Sequence, residues 1–243
     1  MATIVPFSQA SFALCGASGA LIMFAADLVL YYPTTSDRYV KQHRTAASYF
    51  ATIDPGGDNL ADSTMQHIGI SRVMCGGVLG PVSAVFYSIG FSGLAFGLQS
   101  PDQKGWGMPV VAAVGLSLMM TIGAAYHTLF AYTCFLSREI AKARKDHQQE
   151  SALQSILSKH QNYMRYVYKW AATSGVIGSM AYIYCCLTSN TQYPRYSVFF
   201  VPVHSGPIKK MLKWQRCGGI ILCGGLSNLW NLFFFLILYL NLV

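Results

Sequence analysis

Five long apolar runs divide this chain, near residues 11–32, 70–98, 108–136, 166–187 and 216–241, with polar or turn-rich stretches between them. At about 1.5 Å of rise per residue, each is long enough as a helix to cross a hydrocarbon core of about 30 Å. The pattern predicts an all-α, polytopic transmembrane helix bundle, a single integral membrane domain over 1–243. Segment 137–165 breaks the apolar pattern but still favours helix, with Leu153, Ile156, Leu157 and Met164 at helical spacing. It is expected to extend the third or fourth helix into water, or to lie on the membrane surface. Segment 193–207 is apolar in its middle, too short to span, and interrupted by Pro194, Pro202 and Pro207. It is expected to be a short re-entrant or interfacial piece, which at depth must be buried against protein or water. Asp54-Pro55-Gly56-Gly57-Asp58 marks a turn-rich loop.

Composition sharpens this picture. The chain is 53% hydrophobic and only 11% charged, with mean hydropathy +0.38. Soluble domains carry about 25% charged residues, so the charge deficit excludes an ordinary soluble globule. The net charge of +8 does not point to nucleic acid, because the basic residues flank apolar runs and form no stripe interleaved with exposed aromatics. They fit topology determinants and contacts to anionic lipid headgroups, so membrane lipids are the expected partners. Loops 33–69 and 137–165 are the more basic set and are expected to be cytoplasmic, with the N-terminus on the other side. Five crossings would then put the two chain ends on opposite sides. No Lys or Arg precedes Arg38, which favours a retained helix over a leader peptide for the first run. The seven cysteines form no C-x-x-C pair, and no metal or cofactor is expected.

A few polar residues interrupt the apolar runs. Asp27 lies in the first, about 7–8 Å below its inner end, and an intramembrane carboxylate is normally paired, protonated or functional. Arg72, at the start of the second run, falls on the same side, so an Asp27–Arg72 ion pair is one expectation for both residues. His127 lies about 13–14 Å from the same face in the third run, and Asn231 in the fifth falls at a depth comparable to it, with Asn228 one turn further out. Asp27, His127, Asn228 and Asn231 are therefore expected to converge between the first, third and fifth helices, with Tyr87 and Tyr126 as further candidates. For His127 a neutral imidazole bonded to a neighbouring helix competes with a proton-relay, ligand or acid–base role. His204 is expected at the opposite face, as an interfacial loop histidine or a contact at the mouth of a cavity. Gly76, Gly80 and Ala84 recur every fourth residue and signal close helix packing, and Pro81 should free a backbone carbonyl.

These residues carry a resemblance. Asp27 with Tyr31 and Tyr32, Gly76-Gly77-Val78-Leu79-Gly80-Pro81 with Tyr87, and Gly123-Ala124-Ala125-Tyr126-His127 resemble the pattern of an uncharacterised family of small multi-pass membrane proteins. That family brings no assigned activity, so the resemblance implies only that Asp27, Arg72, Tyr87 and His127 are residues to test. Three functions stay open from the sequence. The first is binding or carrying a small or amphipathic ligand in a polar-lined intramembrane cavity, with proton coupling. The second is a lipid- or sterol-modifying enzyme using an Asp/His pair. The third is a structural subunit of a larger membrane complex. The small size and lack of internal repeats make a homo-oligomer or a larger assembly an expectation for the first and third.

Overall fold

A computed structural model describes residues 8–31, 69–100, 107–143, 145–205, 208 and 225–243. Five α-helices account for most of them: α1 (Gln9–Tyr31), α2 (Ile70–Gly97), α3 (Gly107–Ala143), α4 (His147–Thr188) and α5 (Gly225–Leu240). Two 3-10 turns, Arg195–Phe200 and Pro202–His204, lie between α4 and α5, and there is no strand among the described residues. Helices α1 to α4 are each long and apolar enough to cross a membrane. The chain is an all-α polytopic bundle. The loop holding Asp54 to Asp58 and the glycines at 218, 219 and 224 lie outside the described residues.

Small residues set the packing. A Cβ on Gly90 of α2 would overlap the Cα of Gly16 on α1, and one on Gly19 would come within 2.8 Å of the Tyr87 backbone nitrogen. In lipid, where apolar burial drives little association, such close backbone approach is what holds helices together. The glycines of α2 serve two neighbours. Gly76 makes room for Leu30 of α1, whereas Gly77 and Gly80 make room for Ala131 and His127 of α3. Helix α2 is thereby clamped between α1 and α3. On the far side, Gly115 of α3 meets Gly178 of α4. Pro81 lacks the N–H that would bond the carbonyl of Gly77, and the hydroxyl of Thr128 on α3 donates to that carbonyl at 3.4 Å.

Helices α3 and α4 are 37 and 42 residues long, about twice what a bilayer requires. The excess forms a helical hairpin arm, so segment 137–165 extends both helices. Asp146 caps α4 by accepting from the backbone N–H groups of Gln148 and Gln149. Leu136, Ile140 and Leu157 are buried in a narrow seam with Leu153 beside them. Where the arm leaves the bundle, α4 exposes Tyr163, Tyr166, Tyr168 and Trp170. Exposed Tyr and Trp side chains of this kind suit a membrane–water boundary.

Helix α5 closes the core with Phe234 and Phe235, which pack on Phe91 of α2. Tyr182 of α4 meets Phe234 edge-on at 5.2 Å. Gly16 of α1 lies beside Phe235, while Asp27, further along α1, bonds Asn228. Helices α1 and α5 therefore run antiparallel, and Gln9 and Leu240 lie at the same end of the bundle, away from the arm. The segment after α4 makes this arrangement possible. The Gln192 N–H bonds the carbonyl of Gly97 at the end away from the arm, and Tyr196 bonds Asn241 there. By Val201 the chain has reached the level of Trp230, whose indole N–H donates to the Val201 carbonyl at 3.3 Å.

Candidate functional site

Four helices bring five polar side chains together near the arm end of the bundle. Asp27 comes from the penultimate turn of α1, Tyr87 from the middle of α2, His127 from α3, and Asn228 and Asn231 from the first turns of α5. All five are buried, with Asp27 2% and His127 8% exposed. The two asparagines sit three residues apart, so one face of α5 presents both.

The contacts form a directed chain. Asn231 Nδ2 donates to Tyr87 Oη at 3.3 Å, and Tyr87 Oη donates to Asn228 Oδ1 at 3.1 Å. Asn228 Nδ2 then donates to Asp27 Oδ2 at 2.7 Å. Every donor points toward the carboxylate, so each bond polarises the next in the sense that stabilises negative charge on Asp27. On the other oxygen, His127 Nε2 lies 3.1 Å from Asp27 Oδ1. The distance is that of an ion pair, but the alignment is not that of a hydrogen bond, and Oδ1 has no aligned donor. Two further atoms of the cluster, His127 Nδ1 and Asn231 Oδ1, are buried without a hydrogen-bond partner. Buried polar groups are nearly always bonded, so these positions are exceptions in need of an explanation.

The convergence expected of Asp27, His127, Asn228 and Asn231 is what the helices produce, with Tyr87 at its centre. Arg72 does not hold the carboxylate. Its Nε donates to the carbonyl of Val29 at 3.0 Å, in the last turn of α1, where helix carbonyls lack internal partners. The Asp27–Arg72 ion pair gives way to this arrangement because α2 turns Arg72 toward the end of α1. Tyr126 faces α4 and meets Tyr168 at 6.0 Å between ring centroids. His204 is separate as well, with Nδ1 3.0 Å from the carbonyl of Phe199. It lies in the second 3-10 turn, Pro202–His204, just past Val201. Met120 escaped the sequence reading; its sulfur faces Asn231 Nδ2 at 3.9 Å, and nothing about an apolar methionine in an apolar run signals this. No group of three or more His, Cys, Asp or Glu side chains that could hold a metal occurs among the described residues.

Two of the apolar grooves on the outer surface lie among the described residues. The larger, about 440 Å³, lies between α2 and α3 and includes Val78, Pro81, Thr128 and Tyr132. The smaller, about 280 Å³, lies between α3 and α4. None of the five clustered side chains lines either groove. The close contacts of Gly77 and Gly80 with α3 stand between the larger groove and the imidazole.

Apolar helices of spanning length around a small polar centre define an integral membrane protein of the polytopic helix-bundle class. Within that class, the chain belongs to a family of unknown function, DUF6796, whose profile matches residues 6–243. No curated protein matches the chain, and no solved structure does.

Proposed function

We propose that this protein binds or carries a small or amphipathic ligand inside the membrane, at the cluster of Asp27, His127, Asn228, Asn231 and Tyr87. Ligand occupancy is coupled in this reading to a proton held by the Asp27–His127 pair. The observation that carries it is the 3.1 Å approach of these two side chains beside two buried, unpartnered atoms, His127 Nδ1 and Asn231 Oδ1. A purely structural cluster closes its hydrogen bonds, and this one leaves open positions of the kind a ligand fills. A carboxylate and an imidazole at this depth are least costly when they share one proton between them. A ligand that accepts a hydrogen bond from Nδ1–H is favoured by the doubly protonated imidazolium, so its binding and proton uptake by the pair promote each other.

A second reading has its own support. The same 3.1 Å separation lies within the reach that acid–base chemistry needs, and Arg72 bonds elsewhere, so the pair also suits an enzyme acting on a lipid or sterol. In either case the arm and loop 33–69 are cytoplasmic, supported by their excess of Lys and Arg. Native mass spectrometry of the full chain in nanodiscs of total membrane lipid tests both. A bound adduct in the wild type, lost in His127→Ala and Asn231→Leu but kept in Val78→Ala, is the expected result. Turnover of that adduct, absent in Asp27→Asn, would favour the enzyme. A protein without any adduct, copurifying with a stoichiometric partner chain, would make it a structural subunit instead.

A further inference from the structure

We infer that residues 193–205 re-enter the membrane from the face opposite the arm, carry the chain back to the depth of the polar cluster, and so leave both chain ends on one side of the membrane. Two independent observations lead there.

The first is direction. Helix α4 runs from the arm to the opposite end, where Gln192 bonds Gly97 and Tyr193 Oη reaches the carbonyl of Gly93. Helix α5 runs the same way, from Asn228 beside Asp27 to Asn241 beside Tyr196. Two successive helices that are parallel in one bundle require the chain to come back between them. The described residues show it doing so. Tyr196 is level with Asn241, the Phe200 ring stacks on Trp230 at 5.6 Å, and Val201 accepts from the Trp230 indole. Trp230 and Leu240, the last residue of α5 and the neighbour of Asn241, are ten residues apart, a descent of about 15 Å along its axis.

The second is the accounting of backbone carbonyls. Irregular backbone survives at membrane depth only when protein satisfies its polar groups. Ser197 bonds the Pro194 carbonyl through both its N–H, at 2.9 Å, and its hydroxyl, at 2.6 Å. His204 Nδ1 lies 3.0 Å from the Phe199 carbonyl. Val201 receives the His204 N–H as well as the indole, and Ser205 Oγ donates to Pro202 at 2.8 Å. These bonds satisfy the carbonyls within the protein, as irregular backbone at membrane depth requires. Meanwhile Phe199 and Tyr196 are 68% and 50% exposed, as side chains facing lipid would be. The Tyr182 hydroxyl, 2.6 Å from Ser197 Oγ, anchors the segment to α4.

The test places one epitope tag before Met1, a different one after Val243, and a third between Lys145 and Asp146 at the tip of the arm, each in the full chain. Antibody accessibility is then read in intact and permeabilised cells. Both end tags reading together, opposite to the arm tag, is the expected result. One end tag grouping with the arm, or all three reading alike, overturns the inference. If the arm insertion prevents membrane insertion, the two end tags alone decide, because five simple crossings would separate them.

Discussion

Asn228 donates to Asp27 Oδ2 at 2.7 Å, joining residues 201 positions apart in the chain and tying α5 to α1 beside the imidazole of His127. Because Asn228 holds one carboxylate oxygen and His127 faces the other, the three side chains should behave as a unit. A double-mutant cycle on Asp27→Asn and His127→Gln is expected to give a coupling of about 0.5–3 kcal/mol, the range for residues in direct contact. The singles should cost more than a surface substitution, since removing one partner of a buried pair typically costs about 3–5 kcal/mol. Unfolding in mixed micelles measures all four species. Additive effects would show that the two side chains do not sense each other.

The glycine contacts predict opposite signs at two positions. Gly90→Val places its Cβ on the Cα of Gly16, a backbone atom that cannot step aside, and should force α1 and α2 apart. A loss of at least about 1–3 kcal/mol is expected, the usual cost of overpacking. Gly123 has open space within 4 Å of where an added methyl group would sit, so Gly123→Ala should be neutral or stabilising by up to about 1 kcal/mol through helix propensity. Thermal unfolding of the two variants side by side checks the pair. Equal losses at both positions would contradict the packing described.

Much of this arrangement is legible in the chain itself. Run length and the scarcity of charge give the helices, because a bilayer imposes a nearly fixed span. Counting rise from the helix ends puts Asp27 about 7–8 Å and His127 about 13–14 Å from one face without knowledge of facing. The depth of Asn231, by contrast, is counted from the C-terminal end of α5, which lies at the other end of the bundle. Facing is where the reading stops. Which way α2 turns Arg72 depends on the paired surfaces of α1 and α3, and sequence spacing alone fits both an ion pair with Asp27 and the observed bond to Val29. The direction of α5 is equally hidden. Apolar residues look the same whichever way a helix threads, and the three prolines between 193 and 207 signal irregular backbone without giving its course.

Thr128 is expected to matter chiefly because Pro81 is there, although its hydroxyl also lies 3.5 Å from the Ala124 carbonyl of its own helix. Its hydroxyl reaches the Gly77 carbonyl that proline leaves without a helical partner. Thr128→Val should therefore cost about 1 kcal/mol in the wild type, the net worth of a typical hydrogen bond. In a Pro81→Ala background, the helical N–H of residue 81 can bond Gly77 itself, and the same substitution should cost markedly less. Unfolding free energies of the four proteins decide this, and an undiminished Thr128→Val penalty beside alanine would remove the explanation.

The arm should unfold separately from the bundle. Its seam consists of Leu136, Ile140 and Leu157 with Leu153 alongside, a far smaller apolar set than the core built on Phe91, Phe234 and Phe235. Local opening free energy falls with the number of buried apolar contacts, so this hairpin belongs at the low-stability end of the molecule. Leu157 is 3% exposed, and Leu157→Ala should cost about 2–5 kcal/mol of arm stability by removing a buried side chain and leaving a cavity. Hydrogen exchange in nanodiscs is the measurement. Amides of 137–160 should lose protection while those of 170–188 keep theirs, because the second set is held by Gly115, Tyr193 and Phe234 rather than by the seam. Loss of protection that spread evenly along α4 would mean that the arm and the membrane part of the helix form one cooperative unit.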